Sequence, residues 1–230
     1  MIEWREGQPY STQFQDVYFS SDDGLAETDY VFLQSNNLSY RWENLATNHF
    51  TIIETGFGTG LNFLCACKKW LSVAPQHATL HFISVEKYPL SLPDITKALQ
   101  AWPTLQIFSQ ALLVEYSHAL SQKEAVPLFD GRIQLKLCVG DASECLSKMS
   151  THADVWFLDG FAPSKNPDMW SEAVFKQMAR LSNNATTFAT FTSAGMVKRG
   201  LSAAGFGVNK KSGFGKKREM LCGQFIGNVI

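Results

Sequence analysis

Thr51-Ile52-Ile53-Glu54-Thr55-Gly56-Phe57-Gly58-Thr59-Gly60-Leu61-Asn62 reads as a strand, a glycine turn and the start of a helix within one short stretch. Residues 51–53 are β-branched and predict a buried parallel strand, while Leu61, Leu64, Cys65 and Leu71 recur at helical spacing. Three glycines alternate between the two elements. Without a Cβ the backbone can turn at positive φ, and a ligand can lie directly on it, facing the amides at the helix start.

The residues around the turn narrow the ligand. A dinucleotide fingerprint places a further glycine three residues after the second, and position 61 is Leu. A P-loop needs Gly-Lys-Ser/Thr, and no Lys follows Gly60. What remains, an acid at Glu54 two residues before alternating glycines, resembles motif I of class I S-adenosylmethionine-dependent methyltransferases. An acid suits a donor that carries an ammonium and a sulfonium, and it would repel a pyrophosphate. A glycine-rich turn without a ligand is the competing reading.

Further strands follow, several ending in an acid. Leu80 to Glu86 is the second, and an acid at its end in nucleotide-binding α/β folds accepts hydrogen bonds from both ribose hydroxyls, with Lys87 and Tyr88 flanking the adenine. Pro89 to Trp102 predicts a helix; residues 104–130 are amphipathic and receive no firm assignment. Ile133 to Val139 is a third strand, followed by Asp141-Ala142, where class I methyltransferases commonly bind the adenine edge; Asp141 can equally cap a helix over 142–149. The fourth strand, Asp154 to Asp159, runs into a loop with Phe161, Pro163, Pro167 and Trp170. Ligands sit at the carboxyl ends of such strands, so Asp159 is expected to face the reacting methyl group. Phe161 and Trp170 offer faces on which a base could stack, or they simply pack into the core. A helix over 172–183, a strand over 186–192 and a helix over 194–204 precede two last strands, 206–211 and 221–226. Joined by a short loop, these last two make an antiparallel pair and complete a seven-stranded 3-2-1-4-5-7-6 sheet.

Residues 1–50 are acidic and aromatic, with apolar runs at Asp16 to Ser20, Tyr30 to Leu33 and Ser39 to Trp42 broken by Asp22-Asp23-Gly24. They predict a β-hairpin or small sheet beside a main domain over 51–230, serving as a pocket lid or as a structural edge.

At 230 residues, 45 % hydrophobic and 18 % charged, the chain suits one α/β domain with a small appendage. No run is long enough to span a bilayer and Met1 opens no leader pattern, so a cytoplasmic location is expected. The five cysteines and five histidines show no metal-ligand spacing, so no metal is expected. Residues 198–230 hold Lys198, Arg199, Lys210, Lys211, Lys216, Lys217 and Arg218 against Glu219 alone, a net +6 in a chain of net charge −1. That end is either a phosphate-facing surface or a solvated face.

Phe57-Gly58-Thr59-Gly60-Leu61-Asn62-Phe63-Leu64, Phe157-Leu158-Asp159-Gly160-Phe161-Ala162-Pro163 with Asn166-Pro167-Asp168-Met169-Trp170, and Gly213-Phe214-Gly215-Lys216-Lys217-Arg218-Glu219-Met220 carry a more specific likeness. Together they resemble the methyltransferase domain of the tRNA 5-methylaminomethyl-2-thiouridine biosynthesis family, of the MnmC type, over essentially the whole chain. The resemblance implies an α/β fold of the class I S-adenosylmethionine-dependent methyltransferase (Rossmann-like) kind, with a small N-terminal β extension. It implies N-methylation of 5-aminomethyl-2-thiouridine at the tRNA wobble position, with the anticodon stem-loop as partner. The donor would lie on Glu54, Gly56, Phe57, Gly58, Thr59, Gly60, Asn62, Glu86, Lys87, Asp141, Ala142 and Asp159. Asp159 would act as catalytic base or would bind the donor's ammonium. Phe161, Pro163, Trp170, Phe214, Lys216, Lys217 and Arg218 would meet the tRNA. Many relatives continue into an FAD-dependent oxidoreductase, and FAD is expected only where that half is present. A methyltransferase for a small amine and a silent tRNA-binding module of the same fold are the alternatives.

Overall fold

The structure, a computed structural model, describes residues 2–5, 7–19 and 23–227. The chain opens with a small antiparallel sheet of β1 (Ile2–Arg5), β2 (Gln8–Ser11) and β3 (Asp16–Val17). The expected β character of the first fifty residues stops there. Gly24–Thr28 forms α1, Asp29–Gln34 a π-helical turn and Leu38–Glu43 α2, so the runs at Tyr30 to Leu33 and Ser39 to Trp42 are helical. Short apolar runs satisfy either period, and packing decides between them. Here Val31, Leu38 and Trp42 bury on one side, Trp42 meeting Trp70 and Phe50 edge-on at 5.3 and 5.8 Å. Of the turn expected at Asp22-Asp23-Gly24, Asp22 lies outside the described residues; Asp23 caps α1 by accepting from Ala26 N at 3.0 Å.

The main body follows as β4 (His49–Thr55), α3 (Leu61–Val73), β5 (Thr79–Glu86), α4 (Leu92–Leu99), α5 (Gln106–Ser121), β6 (Val126–Leu128), β7 (Ile133–Val139), α6 (Ala142–Ser147) and β8 (Ala153–Leu158). It ends with α7 (Glu172–Arg180), β9 (Ser182–Thr190), α8 (Gly195–Ala203), β10 (Phe206–Ser212) and β11 (Glu219–Phe225). The strands order as β10-β11-β9-β8-β4-β5-β7-β6. Seven of them have the expected arrangement. The eighth, β6, comes from the unassigned stretch and adds antiparallel to β7, with Pro127 in an edge strand where its missing N–H costs no ladder bond.

β4 and its neighbours are buried on both faces because successive side chains enter opposite cores. Ile52, Phe82 and Phe157 join the layer that holds α3, α5 and the N-terminal helices, while Ile53, Ile83 and Trp156 join the layer of α6 to α8. Arg41 of α2 ties the N-terminal segment to the sheet by donating to Asp154 O at 3.0 Å and Thr187 Oγ1 at 2.8 Å. β4 lies between β5 and β8, so the chain reverses its direction of travel across the sheet there. This leaves a crevice at the carboxyl ends of the three strands. Among the described residues no helix is long and apolar enough to cross a membrane.

Candidate active site

A cavity of about 400 Å³ occupies that crevice. The turn after β4, Glu86 at the end of β5 and Asp159 just beyond β8 form its floor. Phe14, Asp16 and Tyr18 from the N-terminal segment, and Glu27 and Thr28 from α1, form another wall, with Phe14 stacked on Phe161 at 4.6 Å. No local pattern marked these N-terminal residues as site residues.

The three glycines differ in what they do. Gly56 has φ of +85°, and a Cβ there would stand 3.1 Å from Gly160 Cα, so the turn after β4 lies close against the turn after β8, while a Cβ at Gly160 would run into the Met169 side chain. Gly58 lines the cavity, and a Cβ would meet only Tyr18 on the opposite wall, at 3.6 Å. Gly60 does not line the cavity; it turns at φ of +79° into α3, under the Phe57 ring and Leu112. Phe57, Thr59 and Asn62 are cavity residues.

Asn62, in the first turn of α3, joins two carboxylates. Its amide nitrogen donates to Glu54 Oε1 at 3.0 Å and to Asp159 Oδ2 at 2.6 Å, while its oxygen accepts from Thr28 Oγ1 at 2.8 Å. The other oxygen of Glu54 accepts from Ser84 Oγ at 2.6 Å, and the other oxygen of Asp159 accepts from Gly160 N at 2.8 Å. Glu54, expected to meet the donor, is fully buried and absent from the cavity wall. It reaches the site only through Asn62.

Burial pushes the Glu54 carboxyl up to about 8, the Ser84 and Asn62 bonds drawing it partly back and the charge of Asp159 adding to the rise. Burial likewise lifts Asp159 to about 6 against the bonds from Gly160 and Asn62. Glu86 is lifted by burial too, opposed by backbone N–H groups, among them Tyr88 N to Oε1 at 2.7 Å and Gly58 N to Oε2 at 3.1 Å. Glu86 therefore stands at the cavity wall braced from behind, with lone pairs left for a ligand.

Asp141 and Ala142 lie in an adjoining cleft of about 100 Å³ that shares Lys87 and Tyr88 with the main cavity. Asp141 does cap α6, accepting from Ser143 N at 3.0 Å, and it pairs with Lys87 Nζ at 3.2 Å.

The residues expected to meet an acceptor separate. Phe161 lines the cavity, whereas Pro163 and Trp170 are buried. The Trp170 indole N–H donates to Phe161 O at 3.0 Å and its ring packs edge-on against Phe191, so it has no free face for a base. Phe214 is half-buried against Tyr30 and outside the cavity wall. Lys217 does line the cavity, while Lys216 and Arg218 are exposed on the same β10–β11 loop. Lys198 and Arg199 are exposed on α8. Among the described residues no group of three or more His, Cys, Asp or Glu side chains forms a metal cage.

The chain is 56 % identical over 227 residues to the tRNA 5-methylaminomethyl-2-thiouridine biosynthesis bifunctional protein MnmC of Methylobacillus flagellatus, covering 99 % of this chain and 35 % of that protein. The protein of the same name from a Marinomonas species is 51 % identical over 224 residues, covering 97 % of this chain and 33 % of its own length. The chain thus spans about a third of the length of these curated relatives. The crystal structure of MNMC2 from Aquifex aeolicus superposes with a TM-score of 0.79 at 22 % identity, over 99 % of this chain and 71 % of that one, and so shares the fold. The sequence profile of the family described as S-adenosyl-L-methionine-dependent methyltransferase matches residues 103–225. That match covers more than half of a chain whose glycine turn, Glu86 and Asp159 share one cavity, and the chain belongs to that methyltransferase family.

Proposed function

We propose that this chain methylates the primary amine of 5-aminomethyl-2-thiouridine at the wobble position of tRNA, using S-adenosylmethionine. The reading rests on one observation above others: a half-buried carboxylate, Asp159, faces the same cavity as the glycine turn and is held there by Asn62 and Gly160. The names of the 50–56 % identical relatives supply the substrate class.

The cavity fits the donor in chemistry. Gly56 and Gly58 let a ligand approach the backbone, Glu86 has acceptor capacity for a ribose, and the adjoining cleft offers Lys87, Asp141 and Ala142 to an adenine edge. Bound there, S-adenosylmethionine supplies an electrophilic methyl group and a positive charge. The acceptor, an alkyl amine that ordinarily titrates at about 10.4 as a lysine does, arrives mostly as the ammonium. Asp159, lifted to about 6 and so ionised at neutral pH, accepts the proton through Oδ1 or Oδ2 and frees the nitrogen lone pair. Once that proton has passed from Asp159 to the solvent of the cavity, the carboxylate is free to balance the charge on the new secondary ammonium. Asn62 and Gly160 keep the carboxylate aimed, which is what an in-line displacement needs most. Glu54 is a positioning residue that acts through Asn62.

The N-terminal segment, residues 1–50, would serve as the wall that closes over the acceptor. The exposed cations of the β10–β11 loop would meet the anticodon stem-loop. As the relatives are named bifunctional, a second, FAD-dependent oxidoreductase activity is expected of a partner region and not of these residues. A cytoplasmic site of action goes with a tRNA substrate. The test is transfer of labelled methyl from the donor to tRNA carrying the aminomethyl group, with Asp159→Asn beside the native chain. Turnover should fall at least a hundredfold in the variant, general base assistance being worth about 10²–10⁴, while donor affinity stays. Near-native turnover by Asp159→Asn, or transfer to small amines in preference to tRNA, would overturn the reading.

A further inference from the structure

Glu27 sits on α1, 190 residues before Lys217 in the β10–β11 loop, yet its Oε1 lies 2.5 Å from the Lys217 Nζ. The same ammonium stands 4.4 Å from the centroid of the Phe191 ring. All three residues line the cavity that holds Asp159. The two ends of the pair are unequal: the Glu27 side chain is 12 % exposed and the Lys217 side chain 43 %. Glu27 is therefore the fixed, largely desolvated member, and Lys217 is the one able to swing into water. A carboxylate beside an aromatic face is the chemistry that holds an alkylammonium.

We propose that Glu27 and Phe191 form the seat for the ammonium of the incoming acceptor, and that Lys217 fills this seat until the acceptor displaces it. The inference rests on the aminoalkyl acceptor proposed above. The exchange replaces one primary ammonium by another, so Glu27 is never left as a buried, unpaired charge, the arrangement that costs most. Lys217 shares its turn with Lys216 and Arg218, and once displaced it adds its charge to theirs, facing the phosphates that accompany the acceptor. A neutral substituent cannot take the place of Lys217, so the seat selects the amine over a hydroxyl of the same size. The Tyr30 hydroxyl, donating to Ser212 O at 2.9 Å, anchors the hairpin independently of the ion pair, so the exchange needs only the lysine side chain to move.

Two ammonium groups could claim the seat, the acceptor's and the one on the donor's amino-acid end. Lys217 reaches it from an exposed hairpin, the side from which a macromolecular acceptor arrives, and that assigns it to the acceptor. Calorimetry on the whole chain saturated with S-adenosylhomocysteine tests this, with 5-aminomethyluridine and 5-hydroxymethyluridine as probes. Lys217→Met should bind the amine nucleoside about tenfold tighter than the native chain, and should prefer it over the hydroxymethyl nucleoside by a similar factor. Glu27→Gln should abolish the preference, and Glu27→Asp should restore part of it. Unchanged or undetectable amine binding in Lys217→Met, or a preference that survives Glu27→Gln, overturns the proposal. If Glu27→Gln weakens S-adenosylhomocysteine but not 5′-methylthioadenosine, the seat belongs to the donor and the proposal also fails. These measurements need no turnover. A chain that discriminates the nucleosides as expected, yet transfers no methyl to aminomethyl tRNA, would refute the tRNA reading and leave the seat standing.

Discussion

Asn62→Leu is the perturbation that most directly probes the site, because it deletes the amide shared by Glu54 and Asp159 while keeping the branched shape of the side chain. The native amide donates to Asp159 Oδ2 at 2.6 Å and so favours the ionised carboxylate. A hydrogen bond to a charged group is worth about 1.5–3 kcal/mol, and one pKa unit corresponds to about 1.4 kcal/mol. Losing the bond should therefore raise Asp159 by about one to two units from its native value of about 6. The sign follows from its role: the protonated acid cannot take the acceptor's proton, so kcat/KM falls as pH drops through that value. The acidic limb of the profile should sit near 6 in the native chain and move up by about one to two units in Asn62→Leu, to neutrality or just above it. Glu54, which loses the same partner and is already lifted to about 8, titrates together with Asp159, so the limb reports the pair. The assay is transfer of labelled methyl to aminomethyl tRNA across pH 5–9 with donor saturating. A uniform loss of rate with the limb unmoved would refute the reasoning, for then Asn62 does not act on the titrating group.

Glu86→Ala should weaken S-adenosylmethionine about ten- to a hundredfold, the loss of a hydrogen-bonded ribose contact worth roughly 1.5–3 kcal/mol; unchanged affinity by calorimetry would remove Glu86 from the donor site. The Glu54 carboxyl is raised from 4.5 to about 8 in the folded chain, so the folded state binds its proton more tightly and stability declines as pH rises through that window. Glu54→Gln should flatten that decline, leaving the variant about 1–3 kcal/mol less sensitive to the change from pH 5 to pH 8, read from denaturant unfolding at the two values. Charge reversal at Lys216 and Arg218 together should weaken tRNA binding and flatten the plot of log affinity against log salt by roughly 1.4, about 0.7 per phosphate contact. Lys217 is left out of that variant because reversing it would also set a carboxylate against Glu27 and disturb the seat. An unaltered salt slope would place the tRNA on another face.

The α/β sheet was legible because its signals are local. A β-branched run before alternating glycines makes strand, turn and helix whatever surrounds it, and acids at the ends of Leu80–Glu86 and Asp154–Asp159 mark one edge of one sheet. The roles of those acids were not legible, because each depends on the residue placed across from it. Glu54 pairs in register with Ser84 of β5, and that neighbour, with Asn62 above, turns it into the sheet and away from the cavity. Trp170 looked like a stacking platform until its indole N–H found the Phe161 carbonyl and its ring found Phe191. The apolar runs of residues 30–42 satisfied strand and helix equally, and burial of Trp42 against Trp70 decided for helix. Thr28 and Glu27 carried no local pattern at all, since Thr28 meets Asn62 and Glu27 meets Lys217 only after the chain has closed. Local periodicity and turn chemistry determine the seven strands of the expected sheet and where the crevice opens. Which side chains face into that crevice is decided by contacts between residues remote in sequence, and burial and charge act on them only once those contacts exist.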